Sequence, residues 1–300
     1  MRIGIDLGGS KIEIALLEND GRILMRERMP APQGDYGATI AAIKSLVGLV
    51  DRRFGAQAAV GIGIPGVVSP ATGLVKNANS TWLIGKPLDR DLAAALGRPV
   101  RMANDANCFA LSEAADGAGK GKRTVFGAIL GTGVGGGIVV DGRVLTGHQA
   151  IAGEWGHNPL PWPRDEERPG RRCYCGKDGC IETFLSGPGL AADHRQATGE
   201  ALASREIAAR AAAREAKARA TMERYFDRLA RALAALINII DPDAVVLGGG
   251  LSNIDALYAE IPRRLSAYVF SDECTTPILK NTHGDSGGVR GAAWLWRDAE

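Results

Sequence analysis

The sequence lacks any long apolar run and any strong excess of charge of one sign. None of its 300 residues fall in an uninterrupted apolar segment near the length needed to cross a bilayer, which argues against a membrane partner. With 36 basic and 34 acidic residues the formal net charge is +2, so no large field attracts nucleic acid. These absences favour small-molecule chemistry in a chain long enough for two ordinary domains.

The N-terminal region also lacks the apolar segment of a secretory signal, because Met1 leads directly into a strand-like pattern that ends at Asp6. We therefore expect a cytoplasmic protein. Five cysteines, an odd number, suit a reducing compartment. In that setting Cys108 and Cys274 are expected to be small buried hydrophobic residues.

The other three cysteines lie close together in the sequence, after a histidine. Cys173, Cys175 and Cys180 fall in the stretch Cys-Tyr-Cys-Gly-Lys-Asp-Gly-Cys, and His157 precedes them. A disulfide is disfavoured without a secretory signal, and cysteines spaced Cys-x-Cys share a metal more readily than they pair with each other. The set predicts a tetrahedral zinc site. Because protein ligands would fill all four positions, the zinc is expected to be structural rather than catalytic.

The apolar pattern predicts one supersecondary unit used twice. Strand-like spacing at residues 2–7, 12–17 and 23–29 is followed by a helical pattern over 36–54 and a further strand over 58–64. Hairpin-type residues, Gly8-Gly9 among them, join the first strands. A second series begins near Thr124, with a strand to Leu130, a turn over 131–137 and a returning strand over 138–140.

A long helical pattern over 204–240 carries one apolar stripe, which we expect in the core. The Arg, Lys and Glu residues on its other face are predicted to be solvated. Asp241-Pro242 ends this helix, and a buried-type strand over 244–247 follows. A last helix near 289–296 has one apolar face.

Three glycine-rich segments are candidates for phosphate binding, because glycine lets backbone amides approach phosphate oxygens. Their residues are Gly8, Gly9, Ser10 and Lys11; Gly131, Thr132 and Gly133; and Gly248, Gly249 and Gly250. Matches to G-x-G-x-x-G at 61–66 and 131–136 do not open a helix, so a dinucleotide site is disfavoured. Hairpins use glycine without any ligand, but three such segments at corresponding places favour phosphate binding.

On these motifs the chain resembles the ROK family of bacterial sugar kinases and repressors, within the actin and hexokinase-like ATPases. Residues 6–11 look like the first phosphate motif, 131–137 like the second and 248–250 like the adenosine motif. Glu154-Trp155-Gly156-His157 and the cysteine run are the most diagnostic pieces, and the similarity covers essentially the entire chain. The resemblance implies an α/β, two-domain actin-like/hexokinase-like ATPase fold, built from duplicated ribonuclease H-like units with a cleft between the domains.

The resemblance also implies domain limits and two departures from the family pattern. The small N-terminal domain would comprise residues 1–118 plus 286–300, and the large C-terminal domain residues 119–285. Ser10 stands where many relatives carry Thr, which keeps the hydroxyl group. Between His157 and Cys173 lies a charged, proline-containing insert, residues 161–172, that is longer than in many ROK kinases.

The cofactors and site residues follow from the same resemblance. ATP with Mg²⁺ would be held by the three glycine segments, with Asp6 reaching the magnesium through water. Asp105 would be the catalytic base, although an aspartate at a helix start also suits a capping role. His157 would bind zinc through one ring nitrogen and donate to the sugar from the other. The implied sugar-binding residues are Gly66, Asn79, Asn104, Asp105, Glu154, His157 and Glu182.

The implied activity is transfer of the terminal phosphate of ATP to the 6-hydroxyl of a hexose. Segments 76–83, 154–162 and 283–285 are most similar to bacterial fructokinases, so fructose is the first expected substrate and mannose the second. A glucose, N-acetylglucosamine or N-acetylmannosamine kinase is the alternative, because small differences in pocket space separate these sugars. A sugar-responsive repressor is less expected, since the strand pattern begins at residue 2 without a preceding helix-turn-helix. Relatives of this kind are commonly homodimers.

Overall fold

The computed structural model of the protein describes residues 1–55 and 57–296. These residues form two compact units. The first comprises Met1–Gly121, Gly137–Ala152 and the C-terminal residues from His283, and the second comprises Lys122–Gly136 and Gly153–Thr282. The domain limits inferred from the sequence stay a prediction. The assignment of Gly137–Ala152 to the first unit was not expected from the sequence.

Both units contain strands and helices. The strands are β1 (Arg2–Leu7), β2 (Lys11–Leu17), β3 (Ile23–Pro30), β4 (Ala59–Ile64), β5 (Val67–Val68), β6 (Val75–Lys76), β7 (Val100–Asn104), β8 (Thr124–Leu130), β9 (Val134–Val140), β10 (Arg143–Val144), β11 (Ala244–Gly248) and β12 (Ile278–Lys280). The α-helices are α1 (Tyr36–Phe54), α2 (Leu88–Leu96), α3 (Asp105–Ala115), α4 (Ile181–Leu185), α5 (Gly187–Thr198), α6 (Ser204–Ala212), α7 (Ala216–Ile240), α8 (Ala256–Glu260), α9 (Pro262–Leu265) and α10 (Gly287–Trp294). Short 3₁₀ turns lie at Thr81–Leu83, Trp155–His157, Asp165–Glu167, Gly250–Asn253 and Gly284–Ser286. Across the described part of the chain, no helix has both the length and the apolar character that a bilayer crossing requires.

Two five-stranded sheets repeat one topology. The strand orders are β3-β2-β1-β4-β7 and β10-β9-β8-β11-β12. In the first sheet β1 is antiparallel to β2 and parallel to β4, which is parallel to β7. In the second, β9 is antiparallel to β10, while β11 is parallel to both β8 and β12. This repetition confirms the predicted α/β class and the duplicated unit.

Helix α1 has the bounds that the sequence pattern predicts, because both of its ends are encoded locally. The side chain of Asp35 caps the N-terminus by accepting a hydrogen bond of 2.8 Å from the amide of Ala38. At the other end Gly55 takes the left-handed conformation at φ 64° and donates to the carbonyl of Asp51. Between these caps, Ile43 and other apolar residues face the core.

Helix α10 packs directly on the first sheet. A Cβ at Gly4 would lie 1.9 Å from the carbonyl oxygen of Val289, and one at Gly61 would lie 1.8 Å from that of Ala292. Both strands therefore need glycine where the helix backbone approaches them. Helix α10 thus packs on a sheet whose strands lie near the start of the chain.

The single helix predicted over 204–240 is wrong in one respect, because the structure divides it into α6 and α7. Arg214, between them, has φ 66°, a left-handed conformation that no α-helix contains. Neither glycine nor proline marks this break. The apolar stripe of α7 is nevertheless buried as predicted, with Leu229 and Leu233 at 0% exposure.

The predicted turn over 131–137 is also shorter than expected. Residues from Val134 onward belong to β9, so the turn contains only Gly131, Thr132 and Gly133. Gly136 serves close packing within the strand, because a Cβ there would lie 2.6 Å from the ring of Phe126. A glycine run in the sequence thus combines a turn with a tightly packed strand.

The charged face of α7 is not uniformly solvated, which corrects the expectation from the sequence. Arg228 and Arg231 are 5% and 1% exposed. Both donate to one oxygen of Glu167, at 2.7 and 2.8 Å, and the other oxygen of Glu167 accepts from the amide of Arg164 at 2.9 Å. Arg228 also donates to Asp193 on α5 at 2.7 Å. The charged insert at 161–172 is therefore fastened to α7 by a buried ionic network.

Candidate active site

The first glycine segment forms the turn of the hairpin between β1 and β2. The amide of Gly8 donates to the carbonyl of Lys11 at 3.0 Å and closes the turn. Gly9, Ser10 and Lys11 are exposed, so their polar groups reach solvent. The Nζ of Lys11 lies 3.9 Å from a carboxylate oxygen of Glu13. This arrangement of open amides, one hydroxyl and one ammonium suits an anionic ligand.

Asp6 lies near the end of β1, immediately before this turn. Burial raises the pKa of its carboxyl to about 6, and the nearby carboxylates of Asp105 and Glu13 add to the rise. The cations of Lys11 and Arg28 oppose the rise without cancelling it. An acid in this state gains from a further cation, so hard oxygen donors of this kind fit Mg²⁺.

Asp105 is the first residue of α3, directly after β7. The capping role considered for it belongs to its neighbour, because Asn104 is the N-cap and its Oδ1 accepts from the amide of Asn107 at 2.7 Å. The side chain of Asp105 reaches solvent, yet the dense protein around it withdraws enough water to raise the pKa of its carboxyl. A hydrogen bond from the amide of Ala106 at 2.8 Å offsets this effect only in part.

Two further residues expected at the sugar lie together in the first unit. A Cβ at Gly66 would lie 2.8 Å from the side chain of Ala78, so the Pro65-Gly66 turn packs closely against the segment before Asn79. The amide of Asn79 donates to the carbonyl of Pro65 at 3.1 Å, and its side chain is exposed. The backbone at Gly66 and the amide side chain of Asn79 are thus held beside each other.

The second glycine segment is fixed by a residue predicted to bind sugar. Glu182, on α4, accepts through Oε2 from the amide of Val134 at 2.9 Å, and a Cβ at Gly133 would lie 2.6 Å from that oxygen. The carbonyl of Gly131 accepts from the amide of Gly187 at 2.8 Å. One Glu182 oxygen therefore supports the turn.

The third glycine segment meets the second at one cavity. Gly249 has φ 79°, and a Cβ there would lie 2.5 Å from the carbonyl oxygen of Leu130, so glycine is required. A cavity of about 1380 Å³ in the second unit is lined by both segments. Its lining includes Gly131, Thr132, Gly250, Arg205, Ala208 and Asn253. The volume is ample for a nucleotide.

The predicted zinc ligands come together as a set. The ligand atoms of His157, Cys173, Cys175 and Cys180 all lie within 4.8 Å of one another. The Sγ of Cys173 is 3.6 Å from the Nδ1 of His157, and the Sγ atoms of Cys175 and Cys180 are 3.6 Å apart. Zinc bonds of about 2.3 Å to sulfur and about 2.0 Å to nitrogen, at tetrahedral angles, require spacings of about 3.6–3.8 Å. The donor set therefore fits zinc.

The sulfur atoms also show why a cation suits this loop. Burial, together with the neighbouring sulfurs of Cys175 and Cys173, raises the pKa of the Cys180 thiol to about 12. Three thiolates at this spacing repel one another, and a divalent cation removes that cost by coordinating them. The turn itself is closed by the amide of Cys173, which donates to the carbonyl of Lys177 at 2.8 Å.

The Glu-Trp-Gly-His motif fixes the histidine against β9. Trp155 donates through Nε1 to the carbonyl of Gly135 at 2.8 Å. A Cβ at Gly156 would lie 2.0 Å from the carbonyl oxygen of Val134, so only glycine fits. The backbone that carries His157 is therefore tied to the strand that follows the second glycine turn, and Glu154 lies exposed before it.

Sequence reasoning missed one residue of this site. The Nε2 of His157, the ring nitrogen expected to face sugar, lies 2.9 Å from the hydroxyl of Tyr174. The two rings meet edge to face, with centroids 5.1 Å apart. The position of Tyr174 between Cys173 and Cys175 was the available signal, but it does not reveal which nitrogen the phenol contacts.

Comparisons with known proteins show which family the chain resembles. The model of the ROK family matches residues 2–299. The chain is 44% identical over 299 residues to an N-acetyl-D-glucosamine kinase from Escherichia coli O6:H1, covering 98% of this chain and 99% of that protein. The crystal structure of a ROK hexokinase from Thermus thermophilus is similar with a TM-score of 0.86 at 30% identity, covering 98% and 97% of the two chains. A ROK family glucokinase from Streptomyces griseus, solved with glucose and AMPPNP, has a TM-score of 0.76 at 28% identity, covering 98% of both.

Proposed function

This chain belongs to the ROK family of sugar kinases, and we propose that it phosphorylates the 6-hydroxyl of an N-acetylated hexosamine with ATP. N-acetyl-D-glucosamine is the proposed substrate. The observation that carries this choice is the 44% identity, over 299 residues, to an enzyme named for that sugar. It supports the alternative derived from the sequence more than the fructose expectation, since none of the relatives cited above is named a fructokinase.

The nucleotide would bind at the glycine turns. Gly131, Thr132 and Gly250 line the large cavity of the second unit, which supports a place there for the nucleotide. The exposed amides near Gly9, with the hydroxyl of Ser10 and the ammonium of Lys11, would hold phosphate oxygens. Magnesium, when bound with ATP, neutralises charge on the phosphates, and Asp6 would hold it through water.

Asp105 would act on the sugar hydroxyl. A carboxylate with an ordinary pKa is a weak base for an alcohol, and the raised pKa of Asp105 makes it a better proton acceptor. In the loose transition state of phosphoryl transfer the attacking hydroxyl donates little electron density until its bond to phosphorus forms, so its proton becomes acidic only then. Asp105 would therefore orient the hydroxyl first and accept its proton late.

The sugar ring would be recognised by short polar groups. Asn79, Glu154, His157 and Glu182 offer donors and acceptors of fixed direction, and the backbone at Gly66 allows close approach. Asn104 can contribute only in part, because its Oδ1 already caps α3. Its amide NH₂ group is the part left for sugar.

We also propose that His157 and the three cysteines hold a structural zinc. Metal analysis of protein purified under reducing conditions should find one zinc per chain. Replacing Cys173 with Ser should release the metal and weaken sugar binding far more than nucleotide binding, because the loop that carries His157 and Tyr174 would lose its fixed shape. Protein that is fully active without zinc would contradict this assignment.

A coupled ADP-release assay across N-acetylglucosamine, N-acetylmannosamine, glucose, mannose and fructose tests the substrate. We expect the highest kcat/KM for N-acetylglucosamine, with Asp105→Asn as the background control. A higher value for fructose would restore the expectation from the sequence, and no ADP release with any sugar would refute the kinase. The homodimer and the domain roles stay predictions, the first measurable by light scattering.

A further inference from the structure

The Nε2 atom of His157 has two possible hydrogen-bond partners in the proposed function, a sugar oxygen and the hydroxyl of Tyr174. The Nδ1 atom lies at ligand spacing from Cys173, so the lone pair of Nδ1 is the one available to a metal. A neutral imidazole that uses Nδ1 in this way carries its proton on Nε2. The Nε2–H group is therefore a donor, and it is the only polar hydrogen on the ring that a sugar oxygen could accept.

With the proton on Nε2, the phenol oxygen of Tyr174 accepts from this donor. Its oxygen lies 2.9 Å from Nε2, within the range of a good hydrogen bond. One N–H group makes one well-directed hydrogen bond, so a sugar oxygen and the Tyr174 oxygen cannot both be served fully. The phenol thus occupies the group through which His157 would bind the sugar.

The Tyr174 side chain also has room to rotate. It is 82% exposed, although both neighbouring residues are placed as zinc ligands. The backbone around it is closed by hydrogen bonds from Cys173 to Lys177 at 2.8 Å and from Gly176 to Cys173 at 3.0 Å. Rotation about the side-chain bonds alone would free Nε2, and an exposed phenol regains its hydrogen bond from water.

We propose that Tyr174 is an internal competitor of the sugar: its hydroxyl occupies the Nε2–H group of His157 until a sugar hydroxyl displaces it. This inference rests on the proposed function. Tyr174 would be a specificity-determining residue, because only a sugar whose oxygen replaces the phenol at Nε2 recovers the hydrogen bond that is lost. Tyr174 would lower the affinity for all sugars. The loss of affinity would be largest for a sugar that places no acceptor oxygen at Nε2 of His157.

The test compares Tyr174→Phe with wild-type protein. Removing the competing hydroxyl should lower the Kd for N-acetylglucosamine, measured by calorimetry without nucleotide, about two- to fivefold. The KM for the sugar should fall by a similar factor, while kcat and the KM for ATP change less. Tyr268→Phe, which removes the hydroxyl bonded to Asp227 in the same unit, is the matched control and should leave the sugar Kd unchanged.

Two results would overturn this inference without affecting the proposed function. A higher Kd in Tyr174→Phe would mean that the phenol contacts the sugar directly, and an unchanged Kd would mean that it does not compete. Zinc content and thermal midpoint are measured in each variant. A second variant, Tyr174→Ala, removes the whole side chain. If it loses zinc, its sugar Kd is not interpreted, and the Kd of Tyr174→Phe decides whether the hydroxyl competes, because that variant keeps the ring against His157. A wild-type protein that binds and phosphorylates no hexose would instead overturn the proposed function, and this inference with it.

Discussion

Both units contain carboxylates withdrawn from water, but the two sets have opposite partners. In the first unit Asp6 and Asp105 repel each other, and burial with this repulsion raises the pKa of Asp6 to about 6. In the second unit Glu167 shares one oxygen between Arg228 and Arg231. Although burial alone would raise its pKa, those hydrogen bonds lower the pKa of Glu167 to about 2.

The difference separates the positions proposed to serve chemistry from the positions that serve the fold. A carboxylate paired with buried arginines is stabilising only while it stays ionised and bound. A carboxylate held near other acids is destabilising by itself and becomes useful when a cation or a proton donor arrives. Asp6 and Asp105 fit the second description, and Glu167 with Asp193 fits the first.

Replacing Asp105 with Asn should have the largest effect of the substitutions that test this comparison. We expect kcat to fall by about 10²–10⁴, because the proton acceptor is lost, while the sugar Kd changes little. Asp116→Asn is the matched control in the same unit, since His283 and Arg290 bind that carboxylate. The control should lower the thermal midpoint and leave kcat within a few fold. Equal kcat losses in both variants would contradict a special role for Asp105.

Replacing Glu167 with Gln should give the largest loss of stability. Removing one partner of a buried ionic network costs about 3–5 kcal/mol, or roughly 10 °C in the midpoint of the second unit. Because the folded pKa of about 2 lies below the ordinary value of 4.5, this stabilisation is present above pH 4.5 and is lost as the pH falls toward 2. Calorimetry from pH 7 to pH 3 should show the two proteins converge.

Glu206→Gln serves as the control for that measurement. Its carboxylate pairs with Arg210 on the exposed surface of α6, so its loss should change the free energy of unfolding by less than about 0.5 kcal/mol. If Glu167→Gln were no worse than Glu206→Gln, the network would not be an anchor for the insert.

The smallest expected effect has the opposite sign. Asp6→Asn should stabilise magnesium-free protein by about 1–2 kcal/mol at pH 8, because it removes a carboxylate whose ionisation is disfavoured in the folded state. This gain should be complete above pH 6 and should disappear below the ordinary pKa near 4. In wild-type protein, kcat/KM should fall as the pH drops through about 6. If kcat/KM were constant from pH 5 to pH 8, ionisation of Asp6 would have no role in catalysis.

Local signals account for the parts of the fold that the sequence predicted well. Helix α1 carries its own cap at Asp35 and its own stop at Gly55, so neighbouring residues determine both ends. The break at Arg214 has no such signal, because a non-glycine residue takes a left-handed conformation there. The amide of Glu215 donates to the carbonyl of Arg210 at 3.0 Å, which closes the helix end in the form that usually uses glycine. A sequence without glycine at this position does not reveal that turn.

The ionic network was missed for a related reason. Helical spacing tells which residues share a face, but it does not tell what covers that face. Arg228 and Arg231 meet Glu167, which lies 61 and 64 residues earlier in a charged insert typical of an exposed loop. Only the folded chain shows that two polar segments bury each other.

The metal loop was predicted more completely than the sugar contacts. Its ligands have a characteristic spacing, and the structure brings all four together. Contacts such as those of Tyr174 and Asn104 depend on side-chain rotation and on competing hydrogen bonds. The residue types at these positions are visible in the sequence, but the atoms they use are not.

The placement of α10 has a consequence for synthesis on the ribosome. The first unit is assembled from three chain segments, and its sheet leaves glycines at Gly4 and Gly61 that fit the backbone of α10. These strands are made before their partner helix, so the first unit stays incomplete until the second unit between them has been translated. All residues of the second unit are therefore in the nascent chain before those of the first unit, although domains generally fold in N-to-C order.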